Sequence, residues 1–312
     1  MPQRPLRVGV IGVGHLGSRH AQIYAKMPGV RLVSVCDVDA ARAASVARAW
    51  HCRAATTYRD LFGSVDAVSL AVPTSLHAAI GLPLLRRGIH CLIEKPLATT
   101  LADAGALIRI AQQHGCVLQV GHVERFNAAI RSARSYVRHP RFIEVDRLSP
   151  YPFRGTDVSV ILDVMVHDLD MLLWLVPSPI VRVESLGVAV LSKSEDIANA
   201  RIAFASGCVA TLTASRISEE SIRRIRVFQE DNYLSIDYKA QTVTLAHRTH
   251  QRIRRIRLPV NQRPPLQDEL AAFIRAVRTR RPPPVTGADG RAALALALRI
   301  ERAMRRAKPT AR

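Results

Sequence analysis

The 312-residue sequence predicts an α/β protein in which a doubly wound parallel sheet is followed by an α+β domain with an open, mainly antiparallel sheet. Three observations carry that prediction. Apolar strand-like runs alternate with helix-patterned segments of about 10–15 residues as far as Gly121, the pattern of βαβ crossovers. A glycine turn, "GVGHLG", joins the first strand to the first helix. From residue 180 to residue 258, strand-like stretches succeed one another without helices, with "ASG" and "EDN" as hairpin turns.

The chain opens with the buried-strand pattern "LRVGVI", which runs into the glycine turn and then into "SRHAQIYAKM", a stretch of helical spacing. The second strand, "VRLVSVCD", ends at Asp37 before an alanine-rich helix over residues 39–50. The runs "VDAVSLAVP", "HCLIEKP" and "CVLQVGH" read as strands, separated by the helices "SLHAAIGLPLLRRG" and "TLADAGALIRIAQQHG", the second with Thr99 or Thr100 as its cap. A helix over 126–137, the strand "RFIEVDRLS" and the apolar helix "LDVMVHDLDMLLWL" come next. After the run of strands, two helices near 265–279 and 289–306 flank "RRPPPV". The expected division is residues 1–121 as a dinucleotide-binding domain and residues 122–312 as a domain for substrate binding and oligomerisation.

Composition narrows the classes. No apolar run approaches the ~18 residues of a membrane span, and the first run is too short and glycine-punctuated for a signal peptide. The cysteines at 36, 52, 91, 116 and 208 make no C-x-x-C pair, which suits a reducing cytosol. A cytoplasmic protein without a membrane partner is expected. The net charge of +20 raises the question of nucleic acid. Nearly all of it is arginine dispersed along the chain, and with 5% aromatic residues there is no stacking platform for bases. No nucleic-acid partner is expected; a small anionic substrate fits the charge equally well.

In the turn "GVGHLG", Gly12 permits the tight bend, Gly14 lets a pyrophosphate approach the backbone, and Gly17 lets helix and strand pack closely. Val13, His15 and Leu16 complete the loop, whose amides lie at the positive end of the helix. Asp37, at the end of the second strand, is placed to accept hydrogen bonds from an adenosine ribose, and its charge would repel a 2′-phosphate. NAD is therefore expected over NADP, with Arg42 as a feature in the opposite sense. The plainer alternative is that the glycines merely serve a turn.

Ligands of doubly wound sheets lie beyond the carboxyl ends of the strands. There stand Pro73, Thr74 and His77 in "VPTSLH", Glu94 and Lys95 in "EKP", and His122, Arg125 and Asn127 in "VGHVERFN". From position alone, Lys95 and Glu94 read equally as a solvated pair. In the apolar helix, Asp163, His167, Asp170 and Trp174 follow a stripe of i, i+4, i+7, i+11, whereas Asp168 falls off it, toward solvent. An acid four residues before a histidine can hold the ring's tautomer, as a general acid/base needs. An ordinary wet helix face is the alternative. Metal binding is not expected, because no further ligand pair stands at the required spacing.

Together, "GVGHLG", "CDVD", "VPTSLH", "EKP", "QVGHVERFN" and "LDVMVHDLD" resemble the Gfo/Idh/MocA family of nicotinamide-dependent oxidoreductases over nearly the whole chain. The resemblance implies a Rossmann domain, a homodimer or homotetramer, and Lys95, Asp163 and His167 in the places of the family's catalytic residues. It also puts Gly12, Gly14, Gly17 and Asp37 on the dinucleotide site. Within the family, "VGHVERFN", "RGTDVSVILDVMVHDLD" and "DIANARIAFASGCVATLTASRIS" are most similar to members that oxidise the 3-hydroxyl of UDP-N-acetylglucosamine for amino-sugar biosynthesis, in lipid A or surface polysaccharide. A nucleotide-sugar substrate is thus implied, with Arg125, Asn127, Arg154 and Thr156 as candidates for its diphosphate or hydroxyls. Met165 departs from the small residue usual two places before the histidine. A free polyol such as inositol is the alternative substrate, and a non-catalytic dinucleotide-binding regulator the alternative class.

Overall fold

The computed structural model describes residues 4–151, 159–249 and 252–307, which form two compact units. The first unit contains β1 (Leu6–Ile11), α1 (His15–Lys26), β2 (Val30–Cys36), α2 (Ala40–Ala49), β3 (Arg53–Ala55), β4 (Ala67–Leu70), α3 (His77–Arg86), β5 (His90–Glu94), α4 (Leu101–Gln113) and β6 (Leu118–Gly121). The strands pair in parallel in the order β3-β2-β1-β4-β5-β6, the doubly wound arrangement with its switch point between β1 and β4. The central strands are buried along their length, as a sheet covered on both faces requires. Helix starts follow side-chain chemistry. Asp39 accepts the Arg42 N–H at 3.0 Å to cap α2, and Thr100, not Thr99, accepts the Asp103 N–H at 3.1 Å to cap α4.

The second unit contains α5 (Ala128–Arg134), β7 (Phe142–Leu148), α6 (Val166–Leu175), β8 (Ile180–Val188), β9 (Ile197–Phe204), β10 (Val209–Ser215), β11 (Ile222–Phe228), β12 (Asn232–Asp237), β13 (Thr242–Thr249) and β14 (Arg252–Arg257). The strand order is β14-β13-β12-β11-β7-β10-β9-β8, antiparallel throughout except for the parallel pair β7 and β10. Alternate residues such as Ile143, Val145, Ile202, Leu212, Ile225 and Leu234 turn inward onto Ile161, Met165, Leu169 and Leu172. The residues between them form a polar face on which Arg224 and Arg226 reach Asp146, each at 3.2 Å. The helix predicted over 126–137 is shorter, because Asn127 caps it by accepting the Ala129 N–H at 3.1 Å.

Two helices complete the chain, α7 (Pro265–Thr279) and α8 (Gly287–Ala307). Here the domain expectation needs correction: residues 266–291 belong to the first unit, and the second comprises 123–265 and 292–312. The reason is packing. Leu270 and Phe273 of α7 are fully buried against Val8, Val10 and Tyr24, and the Val120 N–H donates to Val285 O at 3.2 Å, which covers the β6 edge.

Candidate active site

The dinucleotide half of the site is built at the β1–α1 turn. Gly12 has φ +81° and lies against the Ala71 carbonyl, so a side chain there is excluded twice. Gly14, by contrast, faces open space: a Cβ added there would meet nothing within 4 Å. Gly14 is the N-cap of α1 and offers no side-chain cap, and the first turn carries no acid. An uncapped helix N-terminus with room at its mouth fits an anionic pyrophosphate. His15 is exposed and Leu16 half-buried beside it.

Asp37 is tied into the same turn. Its Oδ2 accepts the Val13 N–H at 2.9 Å, and its Oδ1 accepts the Asp39 N–H at 3.0 Å and Arg42 Nη1 at 3.2 Å. Arg42 is therefore a partner of the acid that it had been set against. Val38 next to it is 91% exposed, an apolar side chain that the sequence did not single out.

At the end of β5, the half-buried Lys95 precedes Pro96 through a cis peptide bond. His77 is fully buried, with Nδ1 3.0 Å from Pro96 O and Nε2 3.0 Å from Val72 O. Burial lowers its pKa, although the backbone carbonyls act in the opposite sense. Both neighbours are acceptors, so the single N–H of the neutral ring donates to one carbonyl while the ring packs between the β4 and β5 strand ends. It thus braces the loop from below, and its expected cofactor contact stays a proposal. Pro73 and Thr74 lie above it, exposed and half-buried.

In the second unit, α6 carries the other candidate residues. One turn of π-helix, Ile161–Met165, leads into α6, with the Val166 N–H reaching back to Ile161 O. Such turns recur where a helix must re-aim side chains. Asp163 in this turn and His167 in the first turn of α6 are half-buried, and Met165 between them is fully buried in the core.

Asp168 corrects the sequence reading. It is 1% exposed, accepts Arg147 Nε at 2.8 Å and the Tyr238 hydroxyl at 2.8 Å, and does not face solvent. The reason is that α6 is flanked by polar partners on the sheet as well as by apolar ones. Arg147 continues to Glu124 Oε1 at 3.1 Å, and Arg223 reaches the same oxygen at 3.3 Å. Asp170 binds Arg125 bidentately at 2.7 and 2.9 Å, with the guanidinium 5.1 Å from the Trp174 ring. Arg125 is buried in this fork, and Asn127 spends its amide on the α5 cap and on Tyr238 O at 2.8 Å. Both thus also support the helix, and their expected contact with a substrate stays a proposal. Arg154 and Thr156 lie outside the described residues.

Comparison with known proteins agrees with this architecture. Residues 6–122 match the model of the oxidoreductase family with an NAD-binding Rossmann fold, and residues 121–235 match the GFO/IDH/MocA C-terminal domain. The chain is 40% identical over 302 residues to the UDP-N-acetylglucosamine 3-dehydrogenase of Acidithiobacillus ferrooxidans, covering 95% of this chain and 96% of the relative. A solved structure of that enzyme superposes with a TM-score of 0.91, covering 96% of this chain and 97% of the other. The myo-inositol 2-dehydrogenase of Thermotoga maritima is 25% identical, covering 93% of this chain and 94% of its own. With both domains matched and a relative this similar along its length, the chain belongs to the Gfo/Idh/MocA family of oxidoreductases.

Proposed function

We propose that the protein oxidises the 3-hydroxyl of UDP-N-acetylglucosamine to a ketone with NAD, in the cytoplasm, as a step of amino-sugar synthesis for lipopolysaccharide or another surface polysaccharide. The observation that carries this reading is the 40% identity, over 95% of the chain, to an enzyme named for that reaction. The open backbone at Gly14 and the acid at Asp37 support NAD. Asp37 accepts the ribose hydroxyls and disfavours a 2′-phosphate, which sets NAD above NADP.

When bound, nicotinamide supplies the hydride acceptor. Lys95 and His167 hold the substrate oxygen, one as proton acceptor and the other as stabiliser of the developing alkoxide, and Asp163 orients the imidazole. His77 and Pro96 fix the loop that carries Lys95. The expected homodimer or homotetramer is supported by β8, whose edge leaves Leu186 and Val188 exposed.

Incubation with NAD and a panel of UDP-sugars, read as NADH absorbance, tests the reading. NADH formation with UDP-N-acetylglucosamine at least tenfold faster than with other sugars supports it. A preference for inositol or another free polyol sinks it in favour of the alternative that the 25% identical inositol enzyme suggests. Retention of DNA with no sugar-dependent NADH would instead indicate a regulator.

A further inference from the structure

Beyond the glycine turn, the end of β2 carries a clasp of two acids and one arginine that Asp37 alone does not account for. The Gly12 N–H donates to Cys36 O at 2.7 Å and the Asp37 N–H to Ala55 O at 3.1 Å, so the strand end is pinned on both sides. Asp37 is 7% exposed, and its carboxylate accepts the backbone N–H groups of Val13 and Asp39. Arg42, in the first turn of α2, brings Nη1 to 3.2 and 3.4 Å from the two Asp37 oxygens and Nη2 to 3.0 Å from Asp39 Oδ2. A guanidinium binds phosphate best through two parallel N–H donors. Here both terminal nitrogens of Arg42 are turned to carboxylates instead.

Asp39 divides its oxygens between two tasks. Oδ1 accepts the Arg42 backbone N–H at 3.0 Å, which caps α2, and Oδ2 accepts the guanidinium. The side chains of Arg42 and Asp39 are 48% and 43% exposed, so this pair opens at little cost. Asp37, by contrast, is fixed by the backbone. In dinucleotide folds an acid at the end of the second strand takes the ribose, and an arginine nearby accommodates a 2′-phosphate. This chain carries both, and the contacts of Asp39 decide which of them is available.

We propose, resting on the placing of the ribose at Asp37 given above, that Asp39 is a specificity-determining residue whose Oδ2 withholds Arg42 from a cofactor 2′-phosphate. The fold then holds a latent 2′-phosphate subsite, closed by one carboxylate oxygen. Asp39→Asn keeps the oxygen that caps α2 and exchanges Oδ2 for an NH2 group, which cannot accept from the guanidinium. The arginine is released while the helix start is preserved.

The test is equilibrium binding of NADH and NADPH to the whole protein at constant ionic strength, read by nicotinamide fluorescence and by calorimetry, with no sugar present. The ratio of the NADPH Kd to the NADH Kd should fall about tenfold in Asp39→Asn, the weight of one charge-assisted hydrogen bond. Asp39→Ser, which also caps, should move the ratio in the same direction. Loss of a negative charge by itself also favours NADPH, and an Arg42→Gln background separates the two causes. There, Asp39→Asn should change the ratio by less than about threefold, because its partner is gone. Thermal melting of each variant confirms the fold. A ratio unchanged in Asp39→Asn, or an equal fall with Arg42→Gln present, overturns the proposal while leaving Asp37 its ribose. A parent that binds NADPH as tightly as NADH removes the Asp37 reading and the Asp39 lock together. Neither measurement uses a sugar, so both outcomes are independent of which hydroxyl is oxidised.

Discussion

At the scale of single residues, the family's chemistry rests on few atoms. Replacement of Lys95 by Met should leave NAD affinity within about threefold and cut turnover by about 10²–10⁴-fold, the range for loss of one group acting on a proton or alkoxide. Calorimetric NAD binding and NADH formation check it, and retained turnover would remove Lys95 from the chemistry. Asp37 makes a sharper case because it has two duties. It holds the glycine turn through Val13 and is the acid proposed to take the ribose. Asp37→Ser should reduce the preference for NAD over NADP by about tenfold, roughly 1.4 kcal/mol, measured as the ratio of kcat/KM with the two cofactors. An unchanged ratio would confine Asp37 to the turn.

At the scale of elements, α6 is held by two buried arginine–carboxylate ion pairs, Arg147 with Asp168 and Arg125 with Asp170. Breaking a buried pair by removing one charge strands the other, at a cost of about 3–5 kcal/mol. Asp168→Asn should therefore lower unfolding free energy in urea by that order, and loss below about 1 kcal/mol would show that the pair is not a clamp. Its sequence neighbour His167 would feel the change as a fall in kcat.

The β8–β9 connection is fixed in a comparable way. Asp196 Oδ2 accepts the N–H groups of Val190, Leu191 and Ser192 at 2.8, 2.6 and 2.8 Å, and its Oδ1 accepts Arg216 Nε at 2.9 Å. Burial alone would raise its pKa, but these donors outweigh burial and hold it below the ordinary carboxylate range. A depressed folded-state pKa contributes stability that is present above the unfolded value of about 4 and lost as pH falls below it. Asp196→Asn should thus lower the melting temperature at pH 7 and flatten its dependence on pH below about 4. An unchanged acid slope in differential scanning calorimetry would contradict this.

At the scale of the whole molecule, the excess of arginine has a partly structural explanation. Arg125, Arg147 and Arg216 are buried in ion pairs, and Arg224 and Arg226 join acids across the sheet. Arg252, Arg254, Arg255 and Arg257 of β14 stay exposed. Among the described residues no helix is long and apolar enough to cross a membrane. Ligand linkage offers a test of the two-unit division: NAD at 100 times its Kd should add about 2.7 kcal/mol to the unit that binds it. In calorimetry one transition should rise with NAD while a second, if resolved, stays fixed; equal displacement of both would show a single cooperative unit.

The sequence by itself determined the fold class, the strand order's parallel character, the glycine turn with Asp37, and the family, because these depend on local periodicity and on short motifs whose chemistry is local. Lys95, Asp163 and His167 were singled out by resemblance to the family's motifs rather than by local chemistry, and their roles are part of the proposed function. Only the tertiary structure decided what long-range partners settle. A period of 3.6 residues set Asp168 toward solvent, but Arg147 and Tyr238, 21 and 70 residues away, draw it into the interior. That Arg125 and Asn127 hold Asp170 and Tyr238 was invisible in the sequence. Residues 266–291 looked like part of the second domain until Phe273 was found in the core of the first. A charge in a sequence has no partner until the chain has folded, and burial then requires that it find one.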